Sequence, residues 1–276
     1  MSKDVIVVIG AGGIGLAIAR RQGSGRQILL ADLNEQVLTS ARTALEDAGH
    51  TVTTQTVNVI QRDTVKALAQ KAAELGPVMQ VVHTAGLSPA QASPEAILQV
   101  DLYGTALILD EFAQVIAPDG AGLMVSSMAG YMFPMPAEQE QAFLTTPTED
   151  LLTLPFVAAI DNSGVAYGVS KRANHLRVQA AAATSWGDRG ARVNTISPGI
   201  ILTPLARDEM NGPGGAGYQA MIKTSAAQRV GTVDEIAATA NFMLERDAAF
   251  MTGADLLIDG GVIAAMRTGR YALQNA

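Results

Sequence analysis

Tyr167 and Lys171 stand four positions apart in Tyr167-Gly168-Val169-Ser170-Lys171. On a helix that spacing puts a phenol and an ammonium one above the other on the same face. A tyrosine with its ordinary pKa of about 10 is a poor base at neutral pH, and a neighbouring cation favours the phenolate. Many exposed helices carry such a pair by chance, so its weight comes from the rest of the chain. Gly10-x-Gly12-x-x-Gly15 follows an apolar run and opens a helical pattern. Glycines there allow a tight turn and let a pyrophosphate approach a helix N-terminus, where unpaired N–H groups and the dipole favour negative charge. A ligand-free strand-to-helix turn would need fewer glycines. Asp32 follows Gly15 by 17 residues, at the end of the second expected strand. A carboxylate at that point can bond both hydroxyls of an adenosine ribose and repels a 2′-phosphate, and no arginine or lysine directly follows it. The expected cofactor is therefore NAD(H) rather than NADP(H). A solvated cap of the next helix is a plausible reading of Asp32 alone, and less so at this distance from a glycine loop.

Composition disfavours the competing chemistries. The 276 residues include no cysteine, and His50, His83 and His175 lie far apart without ligand spacing, so no metal centre is expected. A net charge of -7 and a pI near 5.0 argue against nucleic acid or an anionic membrane as partner. Gly86-Leu87-Ser88-Pro89-Ala90 misses a hydrolase nucleophile elbow, because the last glycine is absent and a proline follows the serine. His83 reads as a capped histidine at a strand end, and Met124, Met128, Met132 and Met135 as core and pocket lining.

Taken together the motifs resemble those of the short-chain dehydrogenase/reductases in their one-domain form, over positions 5–261. The pieces in order are the glycine loop, Asp32, Asn58-Val59, Ala85-Gly86, Ser126-Ser127, Tyr167 with Lys171, Ser197-Pro198-Gly199 with Thr203, and Gly253 followed by Asp259-Gly260-Gly261. The resemblance implies that Tyr167 is the acid/base on the substrate oxygen, that Lys171 lowers its pKa and holds the nicotinamide ribose, and that Ser127 bonds the carbonyl or alcohol. It implies dinucleotide contacts at Gly10, Gly12, Gly13, Ile14 and Gly15, with Asn58 and Val59 by the adenine. Ala85, Gly86, Pro198, Gly199, Ile200 and Thr203 would lie beside the nicotinamide. Three departures stand out. The glycine loop is one residue shorter than the family's usual form, with Ile9 in place of a threonine. His83-Thr84 replaces the usual pair of asparagines. Asp101 replaces the asparagine that completes the family's proton relay, and a carboxylate accepts from water but donates only when protonated.

The elements that must position these residues alternate. Strands are expected at 4–9, 27–31, 51–57, 78–83, 122–126, 192–196 and 255–258, with helices after the glycine loop to position 22 and at 34–48, 63–75, 94–116, 167–186 and 233–245. That is one doubly wound Rossmann-type α/β domain over 1–276, a central parallel sheet flanked by helices. The first nineteen residues imitate a secretory signal, but Asp4 and four glycines spoil it and the run is short of the roughly 20 apolar residues of a membrane span. A cytoplasmic protein without membrane association is expected. Segment 131–160, rich in proline and acidic residues, reads as an insertion beside the active site, with short helices at 138–144 and 149–154. Segment 205–224 carries a glycine cluster that can hardly hold a fixed conformation unaided, and is the candidate substrate lid. Expected pocket walls are Pro89, Met128, Tyr131, Phe133, Phe156, Val165, Ile200, Leu205 and Met210, which suit a bulky, largely apolar secondary alcohol or ketone. The tail after Gly261, with Arg267 and Arg270, could cover a neighbour's pocket or fray. A homodimer or homotetramer follows from the resemblance alone. The alternatives are a non-catalytic dinucleotide sensor on the same fold, a 3-hydroxyacyl-type dehydrogenase and, more remotely, a serine hydrolase using Ser88 or Ser127.

Overall fold

The computed structural model describes residues 3–270 apart from Gln91 and Pro213. Its strands are β1 (Val5–Ile9), β2 (Gln27–Asp32), β3 (Thr51–Thr56), β4 (Val78–His83), β5 (Ile116–Val125), β6 (Arg192–Pro198) and β7 (Asp255–Ile258). They form one parallel sheet in the order β3-β2-β1-β4-β5-β6-β7. The order reverses between β1 and β4, the place where open α/β sheets bind ligands beyond the strand ends.

Helices cover both faces: α1 (Gly13–Gln22), α2 (Glu35–Glu46), α3 (Arg62–Leu75), α4 (Pro94–Ile97), α5 (Thr105–Ala113), α6 (Ala137–Thr145), α7 (Pro155–Ala158), α8 (Ser163–Ala183), α9 (Pro204–Asn211), α10 (Gly215–Thr224), α11 (Val233–Leu244) and α12 (Val262–Arg267). Every β1 side chain is buried, and the two-residue period of a strand sends them to opposite layers. Val5, Val7 and Ile9 join the layer under α3, α5 and Trp186, whereas Ile6 and Val8 join the layer under α1, α2 and α11. No helix among the described residues is long and apolar enough to cross a membrane.

Three expectations change. The helix expected over 94–116 is broken into α4, a π-helical stretch at Leu98–Gly104, and α5, and residue 116 already belongs to β5. Asp101 sits in the π stretch, a backbone form concentrated at functional sites. The helix that carries Tyr167 starts earlier than expected, at Ser163, because the Asn162 side chain caps it by accepting from the Val165 N–H at 3.1 Å. Segment 205–224, expected as a glycine-rich loop, is helical on either side of Pro213, as α9 and α10. Thr203 caps α9 at the Ala206 N–H (3.1 Å), and Pro204 occupies its first turn.

The insertion folds onto α8 rather than standing apart. Phe143, Leu151 and Val157 are fully buried with Ile97, Leu102 and Leu176. Arg177 of α8 donates to the carbonyls of Phe143 (3.0 Å) and Thr146 (2.7 Å), and Arg172 pairs with Glu140 at 2.5 Å.

Candidate active site

The glycine-loop end of the site is built mainly from backbone. Gly10 has φ of +97°, a conformation that side-chain-bearing residues rarely adopt, and a Cβ there would lie 2.5 Å from Thr84 Oγ1. A Cβ on Gly15 would lie 1.9 Å from the Gly10 carbonyl oxygen, so only glycine lets α1 sit this close to the turn. Thr84 Oγ1 donates to the Gly10 carbonyl at 2.9 Å. The threonine that replaces an asparagine in the family pattern thus braces the loop directly. Gly12 caps α1 without any side-chain hydrogen bond, and nothing lies within 4 Å of where its Cβ would be. The first N–H groups of α1 therefore face an open cradle that fits a pyrophosphate.

Asp32 is fixed by the backbone on both oxygens. Oδ2 accepts from the Ala11 N–H at 2.8 Å and Oδ1 from the Asn34 N–H at 2.9 Å. Each oxygen keeps a free lone pair, enough for two ribose hydroxyls. Beside it lies a cavity of about 350 Å³ lined by Ala11, Leu16, Asn34, Gln36, Val37, Ser40 and Ala41, which offers a 2′-phosphate no cation. Val59 is buried against Gly104, leaving Asn58 the more accessible of that pair.

At the other end Ser127, Tyr167 and Lys171 line one cavity of about 380 Å³, together with Ile14, Gly86, Pro198, Gly199, Ile200 and Thr203. Lys171 Nζ lies 5.2 Å from the centre of the Tyr167 ring and 3.0 Å from Asp101 Oδ2. Asp101 Oδ1 accepts from the Leu87 N–H at 2.7 Å, which pins the loop after β4. A Cβ on Gly86 would come within 3.3 Å of both Nζ and Oδ2, so glycine leaves room for this buried pair. Ser126 Oγ donates to the Lys171 carbonyl at 2.8 Å, tying β5 to α8.

Burial pushes the Tyr167 phenol above its ordinary pKa. Lys171 and a hydrogen bond with Ser127 pull it down, while Asp101 and Glu209 push it up again. Lys171 acts in the direction expected, yet burial outweighs it, and Asp101 works against it. Burial opposes the Lys171 ammonium, but Asp101 and Tyr167 beside it raise its pKa overall, so Lys171 stays protonated. Burial likewise raises Asp101 against the pull of Lys171 and the Leu87 N–H.

The expected cap on His83 is absent. The side chain is buried and neither ring nitrogen has a hydrogen-bond partner among the described residues. Burial and the Lys171 charge push its pKa down to about 3, which keeps the ring neutral.

Of the expected pocket walls, Pro89, Met128, Phe133 and Ile200 line the cavity. Tyr131 instead donates to Asp255 at 2.5 Å, and Phe156 packs edge-on against Phe143 with ring centres 5.3 Å apart. Val165 is exposed, Met210 packs in a neighbouring apolar cluster, and the Leu205 side chain lies outside what is described. From the insertion only Met132 and Phe133 reach the cavity. In the tail, the Arg267 guanidinium lies 5.7 Å from the Tyr131 ring centre, and positions 271–276 lie outside the described residues. Sequence reasoning missed Glu209 and Tyr218, carried by α9 and α10. The signal was Thr203-Pro204, a cap followed by proline, from which a helix puts Ala206 and Glu209 on one face.

Models of known families match in two blocks: one described as short chain dehydrogenase over residues 4–138, and one described as Enoyl-(Acyl carrier protein) reductase over 139–263. The chain is 41% identical over 267 residues to short-chain dehydrogenase/reductase bsc3 of Alternaria brassicicola, covering 96% of this chain and 97% of that protein. It is 31% identical to D-threitol dehydrogenase of Mycolicibacterium smegmatis, covering 94% and 92%. A solved short-chain dehydrogenase/reductase from Serratia marcescens superposes with a TM-score of 0.75 at 21% identity, covering 94% of this chain and 98% of that one, a likeness of fold.

Proposed function

The chain belongs to the short-chain dehydrogenase/reductase family of NAD(P)-dependent oxidoreductases, and from that premise we propose that it transfers hydride between NAD(H) and a bulky, largely apolar secondary alcohol or ketone. The observation that carries this reading is the convergence of Ser127, Tyr167 and Lys171 on one cavity at the sheet's switch point, next to an uncapped glycine cradle. Preference for NAD(H) rests on Asp32 and on the cation-free lining beside it.

The bound nicotinamide supplies or accepts the hydride. The N–H groups of Gly12, Gly13 and Ile14 and the carboxylate of Asp32 would hold the dinucleotide, with Asn58 and Val59 toward the adenine, and Ala85, Gly86, Gly199 and Thr203 toward the nicotinamide. The Thr203 oxygen already accepts from the Ala206 N–H, so its hydroxyl proton is free to donate. In reduction the Tyr167 hydroxyl gives its proton to the ketone oxygen, and in oxidation its phenolate takes that proton back. The Ser127 hydroxyl donates to the same oxygen, where charge builds as hydride arrives at carbon. Lys171 offsets the charge on the Tyr167 phenolate, and Asp101 positions Lys171. Two hydroxyl donors on one oxygen, an apolar wall and a protonated lysine suit a neutral carbonyl compound.

We read α9 and α10 as the lid over the substrate, since Ala206, Glu209, Tyr218 and Met221 line the cavity from that side. The insertion braces α8 and contributes Met132 and Phe133 to the substrate wall. Homodimer or homotetramer formation is supported by the half-buried edge strand β7 and by the exposed Phe250. A dinucleotide sensor is the second reading, favoured by the Asp101 carboxylate that neutralises Lys171. NADH oxidation across a panel of cyclic and aryl ketones separates the two: a hydride-transferring enzyme turns over at least one of them and loses that turnover on Tyr167→Phe, whereas a sensor binds NADH and oxidises it with none.

A further inference from the structure

Among the described residues, the lining of the catalytic cavity contains two charged side chains, Lys171 and Glu209. Lys171 is matched by Asp101 at 3.0 Å. Glu209, on α9, is held by hydroxyl groups and, among the described residues, by no cation. Ser88 Oγ donates to Oε1, and the Tyr218 hydroxyl donates to Oε2 at 3.2 Å. Ser88 is itself buried and fixed, because its oxygen accepts from the Ala90 N–H at 3.1 Å. The Ser88 loop, distant in sequence, thus joins the consecutive helices α9 and α10 in holding a carboxylate in a cavity that Leu87, Pro89, Met128, Phe133 and Met221 also line. Each carboxylate oxygen has two lone-pair sites, and one donor on each leaves both with capacity to accept another. The charge is felt at the reaction centre, since Glu209 raises the pKa of both Tyr218 and Tyr167.

We propose that Glu209 is a specificity-determining residue that accepts a hydrogen bond from a donor group on the substrate, a hydroxyl remote from the reacting carbon, and that it turns away substrates with a carboxylate in that position. The inference rests on the dehydrogenase reading and narrows it, from an apolar ketone or alcohol to one bearing a second, distal hydroxyl. A neutral hydroxyl meeting a partly desolvated carboxylate forms a charge-assisted hydrogen bond, while a second carboxylate there meets like charge in an apolar wall. A site built to bond a hydroxyl also rejects the analogue that lacks it more strongly than an apolar wall rejects one methylene.

The test uses the full-length protein with NADH and three ketones: cyclohexanone, its derivative with a hydroxyl across the ring from the carbonyl, and the derivative with a carboxylate there. The expected wild-type kcat/KM ratio of hydroxy to unsubstituted ketone is about tenfold or more. Glu209→Leu, which removes the acceptor, brings that ratio near one, mainly through KM. Glu209→Gln, which removes charge and keeps an acceptor, retains part of it and raises kcat/KM for the carboxylate relative to the hydroxy ketone. Ser88→Ala, which unfastens Glu209 without removing it, gives a ratio between wild type and Glu209→Leu. Turnover with ratios that none of the three variants changes overturns the assignment of Glu209 and leaves the dehydrogenase reading intact, as expected if Glu209 only latches α9 to the Ser88 loop. NADH binding with no turnover of any ketone overturns the dehydrogenase reading, and this inference with it.

Discussion

The glycine-loop region and the catalytic cavity are built on opposite plans. At the glycine loop the chain offers backbone: a helix N-terminus with no side-chain cap, glycines that keep side chains away, and one aspartate with both oxygens held by N–H groups. At the substrate end it offers buried side-chain charge. Lys171 meets Asp101, Glu209 meets Ser88 and Tyr218, and a neutral His83 nearby has no partner for either ring nitrogen among the described residues. A backbone cradle recognises what all dinucleotides share, and its demands fall on spacing. Buried charge is costly unless matched, so every group there constrains its neighbours, and small sequence changes alter the chemistry.

The contrast can be broken most sharply at its backbone end. Gly15→Ala forces a Cβ onto the Gly10 carbonyl and must displace α1 from the turn. NADH affinity is expected to fall about a hundredfold or more, read by fluorescence titration on protein whose circular dichroism is unchanged. Asp32→Asn keeps an acceptor for the Ala11 N–H but removes the charge, so the kcat/KM preference for NADH over NADPH should shrink by about tenfold, measured with one ketone and both cofactors. Asp101→Asn sharpens the charged end. Asp101 raises the Tyr167 pKa, so its neutral replacement lowers that pKa and favours the phenolate. Alcohol oxidation, which needs the phenolate, should then rise at lower pH than in wild type, and ketone reduction, which needs the phenol, should fall off at lower pH. An unmoved pH–rate profile would show that Asp101 is a packing residue only. Far from both ends, Thr232→Ala removes the capping box that Thr232 and Glu235 form at the start of α11 and should cost about 1 kcal/mol of stability without altering either preference, as seen by denaturant unfolding and steady-state kinetics.

The same division explains what could be read from sequence. Gly10, Gly12, Gly15 and Asp32 were legible because a cradle of backbone depends on local spacing, and β1 was legible because a strand covered on both faces is apolar at every position. Tyr167 and Lys171 were legible as an i, i+4 pair. The π stretch at Leu98–Gly104 was not, since a change of helical register leaves no distinctive residue type, and the expected continuous helix over 94–116 gave no sign of it. In segment 205–224 the glycines drew attention away from the helices, whereas Thr203-Pro204 marks the helix start that brings Glu209 to the cavity. The packing of the insertion was less legible. Its prolines marked a departure from the alternation, but Phe143, Leu151 and Val157 bury it against α8, leaving only Met132 and Phe133 at the pocket. Whether an apolar side chain faces a pocket or a core is decided by tertiary packing, which periodicity does not encode.

The most direct test of hydride transfer through Tyr167 is a single-turnover experiment, in which wild type and Tyr167→Phe are each loaded with NADH, mixed with excess cyclic ketone and followed by loss of reduced-nicotinamide absorbance. Transfer of the Tyr167 proton to the ketone oxygen predicts stoichiometric oxidation by wild type and a rate about a hundredfold to ten-thousandfold slower in the variant, with NADH still bound by both. Equal rates in the two proteins would contradict it.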